Sequence, residues 1–163
     1  MKQGSGKSKG GQFERDICKA LSLWVSKGAN VDLYWRSAMS GGRATVKRGQ
    51  VRQAGDITAV APEGHALTEK FYVECKAYKM LTLDCLVTGK GTLIDFWKIA
   101  VKEAKSHNKL PMLIFKRNHW PIVVILDNAG RVELGIAPAE SFVRAGNMVF
   151  IFFDVMTARE FKL

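Results

Sequence analysis

The segment FYVECKAY, Phe71 to Tyr78, reads as a β-strand with an ammonium and a carboxylate two residues apart. Side chains alternate along a strand, so Phe71, Val73 and Cys75 take one face while Tyr72, Glu74 and Lys76 take the other. Asp56 opens an earlier strand candidate, DITAV, eighteen positions before Glu74. A hairpin of these two strands would bring both carboxylates together, with Lys76 projecting into the same pocket. Two carboxylates and an ammonium are what phosphodiester hydrolysis asks for: hard oxygen ligands for a divalent metal, a water activated beside it, and a cation to offset charge in the transition state. Lys76 can position or deprotonate the water, because a nearby metal depresses the pKa of both the ammonium and the bound water. The plainer alternative is an exposed ion pair, which contributes little.

The elements that must position these groups follow from pattern. Phe13, Ile17, Ala20, Leu21 and Trp24 recur at helical spacing, so QFERDICKALSLWVSK is expected to form an amphipathic helix ending near Gly28, with Glu14 in its first turn. VDLYWR and DITAV are strand candidates, and Pro62, Glu63 and Gly64 make a turn before KFYVECKAY. Leu93 to His107 carries Phe96, Trp97, Ala100, Val101 and Ala104 on one helical face. PMLIFKR and PIVVILD are apolar strands with Asn118 and His119 between them. A short strand at Arg131 to Leu134, a short helix around Pro138 to Arg144 and a strand at Met148 to Phe153 complete the expectation. This order predicts an α/β chain with a mixed central sheet flanked by helices.

Composition narrows the function classes. At 163 residues and 47% hydrophobic content, the chain is expected to hold one domain, residues 12–163, behind a flexible basic tail at residues 1–11. Twenty-five Lys and Arg against fifteen Asp and Glu leave +10, which favours a polyanionic partner such as nucleic acid. No apolar run approaches the roughly 20 residues that span a bilayer, and MKQGSGKSKG lacks a signal-peptide core, so no membrane role and a cytoplasmic location are expected. Cys18, Cys75 and Cys85 are odd in number and isolated, which fits small buried residues better than disulfides or a zinc site. GSGKS is no P-loop, since Met1 stands where the motif needs its first glycine and no strand can precede it. His65, His107 and His119 have no ligand-set spacing.

From Leu33 through Gly55 there is no acidic residue, whereas Arg36, Arg43, Lys47, Arg48 and Arg52 are basic. Gly41, Gly42 and Gly49 let backbone approach phosphates, so this segment is the expected DNA contact. A simply solvated loop is the alternative. No recognition helix or zinc finger for reading bases is evident.

With Gly55-Asp56 followed by Glu74-Cys75-Lys76, the chain resembles the PD-(D/E)XK nuclease superfamily, and within it the archaeal-type Holliday junction resolvases. Those proteins begin with a helix bearing a Glu-Arg pair, matched by Glu14 and Arg15. A Gly-rich basic loop with a Ser precedes their metal-binding Asp, as Ser40, Gly41, Gly42 and Arg43 precede Asp56. The likeness covers residues 10 to about 117. It implies a restriction-endonuclease-like fold, Glu14, Asp56 and Glu74 as metal ligands directly or through water, Lys76 as the catalytic lysine, and Arg15 and Ser40 among the DNA contacts. Glu14 as an ordinary acid at a helix N-terminus is the alternative. Gly55 departs from the Pro of the name motif.

The resulting expectation is a Mg²⁺-dependent, structure-selective endodeoxyribonuclease, with Mn²⁺ as a substitute, cutting branched DNA as a homodimeric Holliday junction resolvase. The dimer follows from the need for two symmetric incisions. The rivals are another nuclease of this superfamily, of the restriction, repair or phage DNA-processing kind acting on duplex or single strands, and a non-catalytic nucleic-acid-binding module.

Overall fold

The computed structural model describes residues 6–37 and 54–163. Helix α1 (Gly6–Val25) leads into a small antiparallel pair, β1 (Tyr34–Arg36) and β2 (Ile57–Ala59). After a 3-10 turn at Pro62–Gly64 come α2 (His65–Lys70), β3 (Phe71–Tyr78), α3 (Cys85–Thr88), α4 (Thr92–Ser106), β4 (Leu110–Arg117) and β5 (Val123–Leu126). The chain continues through α5 (Asn128–Glu133), a second 3-10 turn at Pro138–Glu140, β6 (Val143–Ala145), β7 (Met148–Phe152) and α6 (Phe153–Thr157).

Among the described residues, five strands make one mixed sheet in the order β3-β4-β5-β7-β6. β3 and β4 are parallel, and α4 supplies the crossover that a parallel pair requires; the remaining pairs are antiparallel. Met112 to Phe115 and Val123 to Leu126 are buried without exception, because helices cover both faces of the sheet. One face, with Phe71, Val73, Met112, Ile114, Val124 and Leu126, packs on Phe13, Ile17, Leu21 and Trp24 of α1. The other, with Leu113, Phe115, Val123, Ile125 and Phe150, packs on Leu93, Ile94 and Trp97 of α4. The expected mixed sheet flanked by helices is present.

α1 is tied to β1 by Ser22, whose buried hydroxyl donates to the Cys18 carbonyl at 2.7 Å and accepts from the Leu33 and Tyr34 N–H groups at 3.0 and 3.2 Å. That tie sets the position of β1 against the helix carrying Glu14.

Several local expectations are corrected. The helix starts at Gly6 rather than Gln12. The strand expected at Arg131 to Leu134 is instead the end of α5, because Asp127 caps that helix by accepting from the Gly130 N–H at 2.7 Å. The helix expected around Pro138 to Arg144 is only a 3-10 turn followed by β6. Phe142 stacks on Phe152 with ring centroids 4.3 Å apart, and its N–H donates to Phe150, which pulls the segment into the sheet. The short helices α2, α3 and α6 were not anticipated from periodicity, being only four to six residues long.

Candidate active site

Among the described residues, β3 is an edge strand with one ladder partner, β4. Its open edge is met by Asp56. The Asp56 N–H donates to the Val73 carbonyl, and Asp56 Oδ2 accepts from the Cys75 N–H, both at 2.8 Å. One residue thus takes the place of a strand at this point, and its carboxylate is held against the backbone between Glu74 and Lys76. Such close approach demands the glycine before it. Gly55 has φ +86°, and a Cβ there would lie 2.5 Å from the Val73 carbonyl oxygen.

The geometry corrects the hairpin expected between the strands of Asp56 and Glu74. β2 pairs with β1, and α2 intervenes before β3, so the carboxylates meet through the Asp56 main chain and side chain rather than through a ladder. The facing of β3 is as its alternation requires: Cys75 belongs to the α1-side core, and Glu74 and Lys76 stand level with Leu113 and Phe115 on the α4 side.

Burial of Asp56, reinforced by the negative charge of Glu74, pushes its carboxyl up to about 7, against the opposing pull of the Cys75 N–H and the Lys76 ammonium. Glu74 is nearly buried, bonded to the Lys76 ammonium through Oε1 and accepting from the Tyr72 hydroxyl at 3.3 Å through Oε2. Burial draws the Lys76 ammonium down, but Glu74, with help from Asp56, outweighs it and holds the group above its ordinary value. Its Nζ lies 5.5 Å from the centre of the Phe96 ring. Tyr72 in turn stacks on His107, with centroids 5.9 Å apart and planes 10° from parallel. The Cys75 thiol, buried between these charged neighbours, is raised well above its usual range by desolvation.

Glu14 approaches from α1. Its carboxylate, 12% exposed, meets Arg36 Nε at 2.6 Å, and its charge is felt at both Asp56 and Cys18. Among the described residues, no three His, Cys, Asp or Glu side chains already stand together as a metal cage. The donor chemistry nonetheless fits a hard divalent cation. Asp56 and Glu74 offer carboxylate oxygens, and a cation between them would offset both the burial of the Asp56 carboxyl and the repulsion from Glu74 that raise its pKa. Arg15 and Arg36 flank Gly11, where a Cβ would meet their guanidinium groups at 3.7 and 3.5 Å. Ser40, Arg43, Lys47, Arg48 and Arg52 lie outside the described residues.

Three contributors were given no site role by sequence: Tyr72, Phe96 and His107. Alternation already sets Tyr72 on the face of Glu74, but only the structure shows its hydroxyl donating to that carboxylate. Phe96 comes from α4 and His107 from the residue that caps its end, and nothing local marks them. The positive φ of Gly55 is visible only once β3 lies beside it.

Against known proteins, a family model described as "Phage putative PDDEXK endonuclease" matches residues 5–152. Among solved structures, the chain is similar to the Archaeoglobus fulgidus protein Hjc, a Holliday junction resolvase, at 17% identity and a TM-score of 0.36 over 92% of this chain and 88% of that one. No curated protein matches it.

Proposed function

The chain belongs to the phage PDDEXK endonuclease family, and from that premise we propose that it is a Mg²⁺-dependent, structure-selective endodeoxyribonuclease that cuts branched DNA, of the Holliday junction resolvase kind. The observation that carries the nuclease reading is Asp56, clamped to β3 beside the Glu74–Lys76 pair. DNA as the substrate is favoured by the +10 charge and the acid-free segment with Arg43, Lys47, Arg48 and Arg52. Selectivity for branched DNA extends the likeness of Glu14-Arg15 and the Ser40-containing basic loop to junction resolvases.

In this reading Asp56 and Glu74 would hold the metal, with Glu14 joining directly or through water, and Mn²⁺ would substitute for Mg²⁺. The bound metal supplies a Lewis acid and an activated water. The chain supplies the rest. Asp56 gives up its proton and presents an anchored carboxylate whose orientation is set by the Cys75 N–H. Tyr72 orients Glu74. Lys76, released from Glu74, donates to the phosphate oxygens and offsets their growing charge or orders the attacking water. Arg15 and Arg36 draw the phosphate backbone to this edge.

Two symmetric incisions call for two such sites, hence a two-fold homodimer. A cleavage series with four-way junction, flap, duplex and single strand in Mg²⁺ tests the reading. Selective paired cutting of the junction by a dimer is expected. Equal cutting of linear duplex would reject the junction selectivity and leave a phage DNA-processing nuclease, the alternative that the family description favours.

A further inference from the structure

The helix α4 separates two differently charged surfaces. On one side Phe96 lies under Lys76, His107 stacks on Tyr72, and the charge of Glu103 is felt at Tyr72. On the opposite side, between α4, α3 and the β6–β7 hairpin, lies a groove of about 710 Å³. Its floor is apolar, formed by Ile94, Trp97 and Met148. Its rim carries Lys98, Lys102 and Lys105 from α4 and Arg144 from β6, and no carboxylate lines it. Spacings of four and three put the lysines in one stripe on α4. All four cations are exposed, and none forms an ion pair among the described residues.

Lysines on a solvated helix face are commonplace, but here they border a concavity instead of a convex surface. A groove with a cationic rim and an apolar floor suits a ligand that is anionic along one side and flat and apolar on the other. The Trp97 indole N–H is already committed to Asn147 Oδ1 at 3.3 Å, which leaves the Asn147 amide N–H groups for a polar edge. We propose that this groove receives an unpaired DNA strand, with phosphates on Lys98, Lys102 and Arg144 and a base on the Ile94–Met148 floor. A duplex keeps its bases stacked inside and could touch the lysines only, leaving the floor uncovered. The volume falls in the range of about 300–1,000 Å³ common to small-ligand sites, ample for a base and its sugar. The assignment of DNA as the polyanion rests on the nuclease reading: a helix is about 10–12 Å across, so a strand that passes the catalytic edge needs only a few nucleotides to reach the groove.

The test is binding of a short oligothymidylate and of a blunt duplex across a salt series, in Ca²⁺, by the full chain and by K98A/K102A/R144A. These side chains are exposed and lie outside the catalytic edge, so the fold is expected to survive, and K98R/K102R serves as a charge-preserving check. Loss of three contacts should flatten the single-strand log–log salt slope by roughly 0.7 for each phosphate released, with little change for the duplex and with the Arg variant like wild type. A 4-thiothymidine oligonucleotide should photocrosslink to the peptide holding Asn147 and Met148. An unchanged single-strand slope, an equal loss on duplex, a crosslink mapping elsewhere, or equal displacement by polyglutamate would each overturn the proposal. A wild-type protein that binds through the groove but cuts no DNA would support the groove while refuting the nuclease reading.

Discussion

Asp56 and Cys75 are joined by a single hydrogen bond, 2.8 Å from the Cys75 N–H to Asp56 Oδ2, and that bond fixes the Asp56 carboxylate against the edge strand that carries Glu74 and Lys76. Because the donor is main chain, the carboxylate is aimed by β3 itself, and no rotamer of Cys75 can spoil it. The same closeness puts Asp56 in reach of Glu74 and out of water, which raises its pKa.

The first prediction concerns pH. An Asp carboxyl ordinarily titrates near 3.8, and here it is held near 7 in the folded chain. Between these values the folded state keeps a proton that the unfolded state has lost, so metal-free stability falls as pH rises through this window. Urea midpoints should be higher at about pH 5 than at about pH 8, and Asp56→Asn should flatten this contribution. Mg²⁺ should restore wild-type stability at the higher pH and do little for Asp56→Asn. An identical pH slope in both proteins would reject the buried-carboxyl account.

A second prediction separates binding from chemistry. Asp56→Asn should lose metal binding and cleavage while keeping, or tightening, DNA binding without metal, since a repelling charge is gone. Lys76→Ala leaves the carboxylates in place, so metal should still bind while single-turnover cleavage slows by about 100-fold or more. Near-wild-type cutting by either variant would sink the site assignment.

Gly55→Ala tests the close approach. The substitution meets the Val73 carbonyl at 2.5 Å and must also adopt φ +86°. Gly28→Ala has a similar φ of +87° with no neighbour within 4 Å, and isolates the backbone cost of about 1–2 kcal/mol. Gly55→Ala should lose more than that in urea denaturation and also lose cleavage, because Asp56 is displaced from β3. Equal stability losses in the two variants would mean that the edge relaxes freely.

Ser22→Ala removes the hydroxyl that serves three backbone groups, Cys18 in α1 and Leu33 and Tyr34 at the start of β1. Leaving the Leu33 and Tyr34 N–H groups without this acceptor should cost about 1–3 kcal/mol in urea denaturation. A loss below a few tenths of a kcal/mol would show that another acceptor takes over.

Much of this molecule follows from local pattern, and the reason is periodicity. The alternation of Phe71 to Tyr78 placed Glu74 and Lys76 on one face and Cys75 in the core. The spacing of Phe13, Ile17, Leu21 and Trp24 defined the buried side of α1, and the apolar runs around Ile114 and Ile125 announced strands, which the structure then covers on both faces. Those signals are repeated over many residues, so single exceptions do not erase them. Where one contact decides, the pattern failed: the Asp127 cap turned an apparent strand at Arg131 into helix, and Phe142 stacking turned an apparent helix into β6. The candidate site divides the same way. Its residue types, Asp56, Glu74 and Lys76, are readable as chemistry before any fold is known. Their arrangement is not, because Asp56 reaches β3 through the sheet edge that no other described strand pairs, with a close backbone contact that only glycine at position 55 permits. The pairing of Glu14 with Arg36, the Phe96 ring beneath Lys76 and the cationic groove behind α4 likewise join residues far apart in the chain. Hydrophobic periodicity tells each element which side to bury; which elements then become neighbours is decided by the packing of all of them at once.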